Sequence, residues 1–150
     1  MSDERELLNR FCLAINRMDG LYAIAAQRAG VSENRLALLS ALMIGGKLSQ
    51  KQLCEQWLIP KTTVNTLVKE LEAQGYVQLE RMPGKRREML VSLTDAGRDM
   101  AEEMRKPLCS VEEQAMTATL QKFSAEFVDA VERFNDEFQT ALEEEYREEI

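Results

Sequence analysis

Two short groups of cationic and polar residues have side-chain types and a spacing that could do chemistry. The first group follows Pro60, and its side chains can donate hydrogen bonds to phosphates or base edges: Lys61, Thr62, Thr63, Asn65, Thr66 and Lys69. The second group is the run Lys85-Arg86-Arg87, which comes directly after a Pro-Gly pair. Clustered cations neutralise neighbouring phosphates, and an Asn amide can pair with an adenine edge. Together, the two groups predict contact with double-stranded DNA.

Enzymatic and metal chemistry have little support in the same sequence. It contains no histidine, which is the commonest general base and the commonest metal ligand. Its three cysteines, Cys12, Cys54 and Cys109, are irregularly spaced and predict neither a disulfide framework nor a zinc site. The sequence has neither a phosphate-binding glycine loop nor a nucleophile elbow. We therefore expect no enzymatic activity, no cofactor and no bound metal.

Chain length allows one domain, or a dimer-forming domain with an embedded module. The 150 residues are 45% hydrophobic, which is enough for a modest core. No apolar run approaches the roughly 18 residues that a membrane-spanning helix needs, and the chain does not begin like a signal peptide. We therefore expect a cytoplasmic protein that does not associate with membranes.

The net charge of -7 would oppose DNA binding if it were evenly distributed along the chain. Residues 47–93, however, contain eight Lys or Arg and five Asp or Glu, a net charge of +3. The rest of the chain contains eleven Lys or Arg and twenty-one Asp or Glu, a net charge of -10. The two cationic groups thus lie in a locally basic segment of an acidic protein. Such a protein should bind nonspecific DNA poorly and should depend on two correctly placed copies of this segment for its affinity.

The group after Pro60 should lie on the second helix of a helix-turn-helix. Ser49 and Gln52 have the spacing of a capping box, which begins the first helix. Pro60 disfavours helical geometry at the residue before it, so Leu58-Ile59 should form a short corner between the helices. Gly75 can adopt the left-handed conformation that ends the second helix. The buried face of that helix follows an i, i+3, i+4, i+7 pattern: Val64, Leu67, Val68 and Leu71.

The cationic run should lie at the tip of a β-hairpin. After the second helix the hydrophobic period changes to two, which predicts one strand beginning at Tyr76 and another ending at Leu93. Pro83 and Gly84 suit a type II turn, because Gly84 can adopt the positive φ that this turn requires. The hairpin would then be a cationic wing that reaches phosphates or the minor groove beside the second helix.

The two ends of the chain predict long amphipathic helices. One helix should run from about Asp3 to Gln27, and the last helix should begin near Ser124. The apolar stripe residues that we expect to form a dimer interface are Phe11, Ile15, Phe127, Val131, Phe134 and Phe138. The same stripes could instead form the internal core of a monomer. Thr94 should cap the helix that follows the hairpin, and Pro107 should kink or break that helix.

Residues 48–97 resemble the DNA-binding half of the multiple-antibiotic-resistance regulator (MarR) family. The matching motifs are the Leu-Glu-x-x-Gly end of the second helix, the wing arginine and the V-x-L-T-x-x-G run: Leu71, Glu72, Gly75, Arg87 and Val91-Ser92-Leu93-Thr94-Asp95-Ala96-Gly97. These motifs cover about a third of the chain, and the order of the flanking helices extends the resemblance to its whole length. The family usually has Asp where this chain has Lys85, which affects the ion pair that positions the wing. It often has Arg where this chain has Thr66, which suggests a different base preference.

The resemblance implies a mostly helical fold with one MarR-like domain. A winged helix-turn-helix with a small antiparallel β-hairpin would occupy residues 47–94, and a helical dimerisation region would occupy residues 1–46 and 95–150. The implied function is that of a homodimeric transcriptional regulator, a repressor that binds a pseudo-palindromic DNA operator. A small aromatic or phenolic effector is also implied, bound between the two regions, with Tyr22 and Met43 as candidate contacts.

Two other functions are open on the sequence alone. Winged helices also bind proteins, so the module could be an interaction domain that never contacts DNA. Some similar regulators sense peroxides through a cysteine in the first helix, assisted by tyrosines, and Cys12 and Tyr22 lie in that helix here. The sequence identifies neither the operator nor the effector.

Overall fold

The computed structural model describes residues 3–147, and these residues form six helices and three short strands. In chain order the elements are α1 (Asp3–Ala29), α2 (Glu33–Gly45), β1 (Leu48–Ser49), α3 (Gln50–Trp57), α4 (Lys61–Ala73), β2 (Val77–Arg81), β3 (Met89–Leu93), α5 (Asp95–Leu120) and α6 (Glu126–Glu145). The predicted class, a mostly helical fold with a small antiparallel sheet, is confirmed. Within residues 3–147, every helix is too short or too polar to span a lipid bilayer.

The first of two compact units ends at Pro107 and contains the sheet, whose strand order is β1-β3-β2. Strands β2 and β3 form the predicted hairpin, with Val77 opposite Leu93. The core of this unit contains the largest fully buried side chains: Leu38, Leu39, Leu42, Leu53, Val64, Val68, Leu71 and Val91. Burial of one such side chain contributes about 1.5–3 kcal/mol to the free energy of folding, relative to leaving it exposed. Because three of them belong to α4, the core holds α4 firmly by its inner face.

Strand β1 is an element that the sequence patterns did not predict. Its two residues, Leu48 and Ser49, are both buried, and Leu48 lies opposite Val91 in the central strand β3. A strand of two residues is too short to show an alternating pattern, and Ser49 also serves as the N-cap of α3. The wing is therefore one side of a three-stranded sheet and not an isolated hairpin.

The start of α5 is fastened to the hairpin, as the predicted cap at Thr94 requires. Thr94 Oγ1 donates to the Gly75 carbonyl oxygen at 2.6 Å and accepts from the Gly97 N–H at 3.0 Å. The Thr94 N–H donates to the Tyr76 carbonyl oxygen at 3.1 Å. A Cβ atom on Gly97 would lie 1.8 Å from that same oxygen, so only glycine fits there. The V-x-L-T-x-x-G run thus owes its last two named positions to a close contact between α5 and the backbone of Tyr76.

The helix break that we predicted at Pro107 is wrong. Helix α5 continues through Pro107 to Leu120. Proline removes one helical hydrogen bond, in this case the bond to the Glu103 carbonyl. Both residues are exposed, so water can satisfy that carbonyl and the helix can continue.

The second compact unit begins at Leu108 and contains the rest of α5 together with α6. No residue of α6 is buried within the described structure. Phe127 and Val131 are half-buried, whereas Phe134 and Phe138 are exposed and lie with their ring centroids 5.9 Å apart. The apolar stripe of α6 is therefore incompletely covered.

Candidate nucleic-acid interface

The corner between α3 and α4 sets the direction of the second helix. The capping box that begins α3 is confirmed: the Gln52 N–H donates to Ser49 Oγ at 3.1 Å, and the Ser49 N–H donates to Gln52 Oε1 at 2.8 Å. Helix α3 ends at Trp57, and Leu58 then adopts the left-handed conformation, with φ 49° and ψ 35°. Ile59 is buried and Pro60 precedes the first residue of α4. The corner is thus three residues long, and its apolar anchor is Ile59.

Helix α4 has one buried face and one outer face. Its buried residues are the four that the periodicity predicted: Val64, Leu67, Val68 and Leu71. The outer face contains the exposed residues Lys61, Thr62, Thr66 and Lys69 and the half-buried residues Thr63 and Asn65. The structure therefore places all six predicted residues of the first group on one helix and outside its buried stripe.

Thr66 is restricted in what it can recognise. Its Oγ1 donates to the Thr62 carbonyl oxygen at 3.0 Å, which occupies its only proton. The remaining lone pairs can accept a hydrogen bond, and the donors in the major groove are the amino groups of adenine and cytosine. A hydroxyl in this state would suit an amino group better than the acceptors of guanine.

The N-terminus of α4 favours an anion. The helix has no acidic residue in its first turn, and no side chain caps its first N–H groups. Those N–H groups and the helix dipole make the end partially positive, and Lys61 adds a full charge at the same place. The arrangement suits a DNA phosphate at the edge of a groove.

The turn at the tip of the wing has the predicted geometry. Gly84 has φ +78°, and the Lys85 N–H donates to the Met82 carbonyl oxygen at 3.2 Å. The Met82 N–H donates to the Glu88 carbonyl oxygen at 3.0 Å and so closes the hairpin beyond the strands. Arg86 and Arg87 are both exposed at this tip.

An ion pair links two residues of the wing, Lys85 and Glu88. The cation stands at position 85, where the family usually has an aspartate. Lys85 Nζ lies 3.3 Å from both carboxylate oxygens of Glu88, whose side chain is only 33% exposed. The Glu88 carboxylate therefore partly neutralises the charge of Lys85 within the wing. The arginines Arg86 and Arg87 carry the charge that remains available to a ligand. Glu88 was not among the residues predicted for the site, although its spacing of three from Lys85 is a sequence signal for such a pair.

Lysines also pair with other acidic residues of the winged module. Lys47 Nζ lies 2.6 Å from Glu80 Oε1 and joins the start of β1 to β2. Lys51 Nζ lies 3.7 Å from Glu55 Oε1 on α3. Each pair neutralises one lysine of the module within the folded chain. Arg35 also donates a hydrogen bond to Gln74 Oε1, next to the end of α4, at 3.0 Å.

The other predicted site residues lie on separate elements. Phe11 and Ile15 are half-buried on α1, where Cys12 and Tyr22 are exposed, and Met43 is half-buried on α2. A shallow groove of about 390 Å³ runs along α1 and is lined by Arg10, Leu13, Ala14, Arg17, Met18 and Leu21. Neither candidate effector contact, Tyr22 or Met43, lines that groove.

Comparison with known proteins agrees with this geometry. A family model described as the MarR family matches residues 29–88. The chain is 34% identical over 125 residues to YdgJ, an uncharacterised HTH-type transcriptional regulator of Bacillus subtilis (strain 168), a match that covers 83% of this chain and 72% of the relative. NMB1585, a MarR family regulator from Neisseria meningitidis, is similar over the whole of both chains, with a TM-score of 0.72 and 24% identity. NadR in complex with 4-hydroxyphenylacetate has a TM-score of 0.70 and 16% identity, over 92% of this chain and 95% of that one.

Proposed function

This chain belongs to the MarR family of DNA-binding transcriptional regulators, and we propose that it represses transcription as a homodimer on a pseudo-palindromic operator. The observation that carries the proposal is the outer face of α4, which presents six polar or cationic residues on the same module as a wing with two exposed arginines. Repression requires only that the operator be occupied. Two modules related by a two-fold axis would place their recognition helices about one helical turn, ~10 bp, apart.

The two groups would divide the recognition of DNA between them. Helix α4 would enter the major groove, where Asn65 could pair with an adenine edge and Lys61 and Lys69 could bind flanking phosphates. Arg86 and Arg87 would lie against the neighbouring backbone or minor groove. Thr62, Thr63 and Thr66 would supply short side chains that permit close approach to the bases.

Uncovered apolar side chains support the homodimer. On α1, Leu13 is 70% exposed and Leu21 is 58% exposed, and on α6 Phe138 is 55% exposed. Large apolar side chains left exposed along a helix favour an interaction site on that helix. We therefore assign the terminal helices to the dimer, with Phe11, Ile15, Phe127, Val131, Phe134 and Phe138 in the predicted stripes.

We also propose that a small aromatic acid or phenol lowers operator affinity. NadR was crystallised with 4-hydroxyphenylacetate, which makes this compound a suitable probe, and Tyr22 and Met43 are the predicted contacts. By thermodynamic reciprocity, saturating operator must weaken binding of the probe by the same factor. Equal affinities of the probe with and without operator would exclude this regulation.

If peroxide instead releases the operator, and a Cys12→Ser variant does not respond, the regulator senses oxidation.

The experiment that tests the function is a salt titration of binding to the DNA upstream of the protein's own coding sequence. Between about 50 and 200 mM salt, log affinity should fall linearly with log salt concentration, with a slope of several units. Arg87→Gln should reduce that slope by about one unit. A control variant, Lys122→Gln, should leave the slope unchanged, because Lys122 belongs to neither of the two cationic groups. Binding that does not exceed that of an unrelated fragment of equal length would favour a winged-helix module for protein partners.

A further inference from the structure

Leu58, in the corner between α3 and α4, has an unfavourable conformation and an unfavourable environment. It is the one non-glycine residue with positive φ among residues 3–147, and the residue is 85% exposed. Its neighbour Ile59 is 3% exposed, so the corner is anchored without Leu58. Left-handed backbone brings the Cβ atom of an L-residue close to its own carbonyl oxygen, which is why glycine is common in such turns.

Little of Leu58 is buried in the folded chain, so burial does not offset the strain of its backbone. A glycine at position 58 would relieve the backbone strain, and a polar residue would avoid exposing an apolar side chain to water. Strained residues that the fold itself does not need are concentrated at sites where the protein binds a ligand. We therefore expect Leu58 to contribute to the binding of a ligand and not to folding.

The position of Leu58 next to α4 points to DNA as the ligand. It lies three residues before Lys61, at the N-terminal end of the helix that would enter the major groove. Its side chain can neither donate nor accept a hydrogen bond, so it offers nothing to a phosphate or to a polar base edge. The apolar group that the major groove presents is the 5-methyl group of thymine.

We propose that Leu58 determines specificity by packing on the 5-methyl group of one thymine in each half-site. This inference rests on the proposed function, since it requires that α4 enter the major groove. Backbone strain at Leu58 would then destabilise the free protein. Burial of the Leu58 side chain against the DNA would offset that strain by removing apolar surface from water. Affinity and stability should consequently respond to substitution in opposite directions.

The test combines a protein variant with a change in the DNA. Each thymine of the operator is replaced in turn by deoxyuridine, which removes only the 5-methyl group, and affinity is measured for the wild type and for Leu58→Gly. At one symmetric position the wild type should lose about fourfold in affinity per half-site, the effect of burying one methyl group. Leu58→Gly should bind the unmodified operator more weakly and should be insensitive to deoxyuridine at that position. Ile44→Ala is the control, because Ile44 is also exposed, at 71%, but lies at the end of α2.

Thermal unfolding keeps the result interpretable. Leu58→Gly should unfold at the same temperature as the wild type or higher, because it relieves strain without removing a buried contact. A lower unfolding temperature would show that Leu58 supports the fold, and it would overturn the proposal. So would equal operator affinities of wild type and Leu58→Gly, or the same deoxyuridine sensitivity in both. Wild-type protein that binds no operator at all would refute the proposed function itself, which separates the two failures.

Discussion

Individual side chains on the outer face of α4 differ in what they can distinguish. Asn65 is half-buried, whereas Lys61 and Lys69 are exposed. The planar amide of an asparagine can form two hydrogen bonds to adenine, whereas a mobile ammonium group is attracted to any phosphate.

Asn65→Ala should therefore relax the base preference of the protein. We expect a loss of about 1–3 kcal/mol on the preferred operator and a much smaller loss on operators that lack the adenine. Lys69→Ala serves as the comparison, because it should weaken all sequences to a similar degree and lower the salt slope. Competition assays against single-base operator variants measure both effects. An equal loss of selectivity in the two variants would contradict this division.

Gly97 has a role in stability that is separate from DNA binding. A Cβ atom at this position would lie 1.8 Å from the Tyr76 carbonyl oxygen and 2.7 Å from the carbonyl carbon, and backbone atoms cannot move aside as a side-chain end can. Gly97→Ala should destabilise the protein by about 1–3 kcal/mol, the usual cost of overpacking. Urea unfolding at a fixed protein concentration measures the change.

Gly20 provides the matched control for Gly97. It lies within α1, and no atom would come within 4 Å of an added Cβ. Gly20→Ala should stabilise the protein by about 0.5–1 kcal/mol, because alanine favours helical backbone. If both substitutions changed stability equally, the close approach at Gly97 would not be the reason that glycine is required.

The wing functions as one element because its turn, its strands and its ion pair hold each other in place. The tip is closed by backbone hydrogen bonds at Met82 and Lys85, and the strands continue into a sheet with a third member. The Lys85–Glu88 pair, with nitrogen–oxygen distances of 3.3 Å, links the tip to the start of the returning strand. A partly exposed surface pair of this kind contributes at most about 1 kcal/mol to stability, so its main effect is on the charge that the tip offers to DNA.

Glu88→Gln should release Lys85 and so change selectivity more than stability. We expect affinity for unrelated DNA to rise and the salt slope to increase by up to about one unit. The ratio of operator affinity to unrelated-DNA affinity should fall, because the wing is less well positioned. Lys85→Gln should lower the slope less than Arg86→Gln does, since Lys85 is already paired. Exchanging the two charges, with Lys85→Glu and Glu88→Lys together, should restore the ratio if the pair positions the wing.

On the scale of the whole molecule, positive charge is concentrated in the winged module, whereas exposed apolar side chains are found on the terminal helices. The winged module is basic and the remaining sequence is acidic. Exposed apolar side chains occur on α1 and again on α6. A protein of this composition should gain affinity for DNA by presenting two modules at once, because the net charge of the chain opposes nonspecific binding.

We expect sedimentation at micromolar concentration to give a mass of about 34 kDa, twice the 17.1 kDa of one chain. Phe138→Asp should weaken the dimer, because a carboxylate in an apolar interface loses its hydration. Gln139→Asp, which places the same charge on the neighbouring exposed residue, should have little effect. A wild-type monomer that still bound the operator tightly at this concentration would contradict the dimer.

The conformations that depend on near neighbours in sequence were determined by the sequence itself. The capping box at Ser49, the left-handed glycine at position 84 and the buried stripe of α4 were each predicted and found. The physical reason is that a capping hydrogen bond, a turn or a helical face involves residues at most a few positions apart. The outer face of α4, and with it the predicted DNA-contacting residues, follows directly as the complement of the buried stripe.

Contacts between residues distant in sequence were decided only by the tertiary structure. Leu48 meets Val91 across β1 and β3, Lys47 meets Glu80, and Gly97 touches the backbone of Tyr76. No local pattern specifies such partners, because they are brought together by the packing of the whole unit. The same packing buries Ile59 and leaves Leu58 exposed in a left-handed turn, two neighbouring apolar residues that sequence alone could not tell apart.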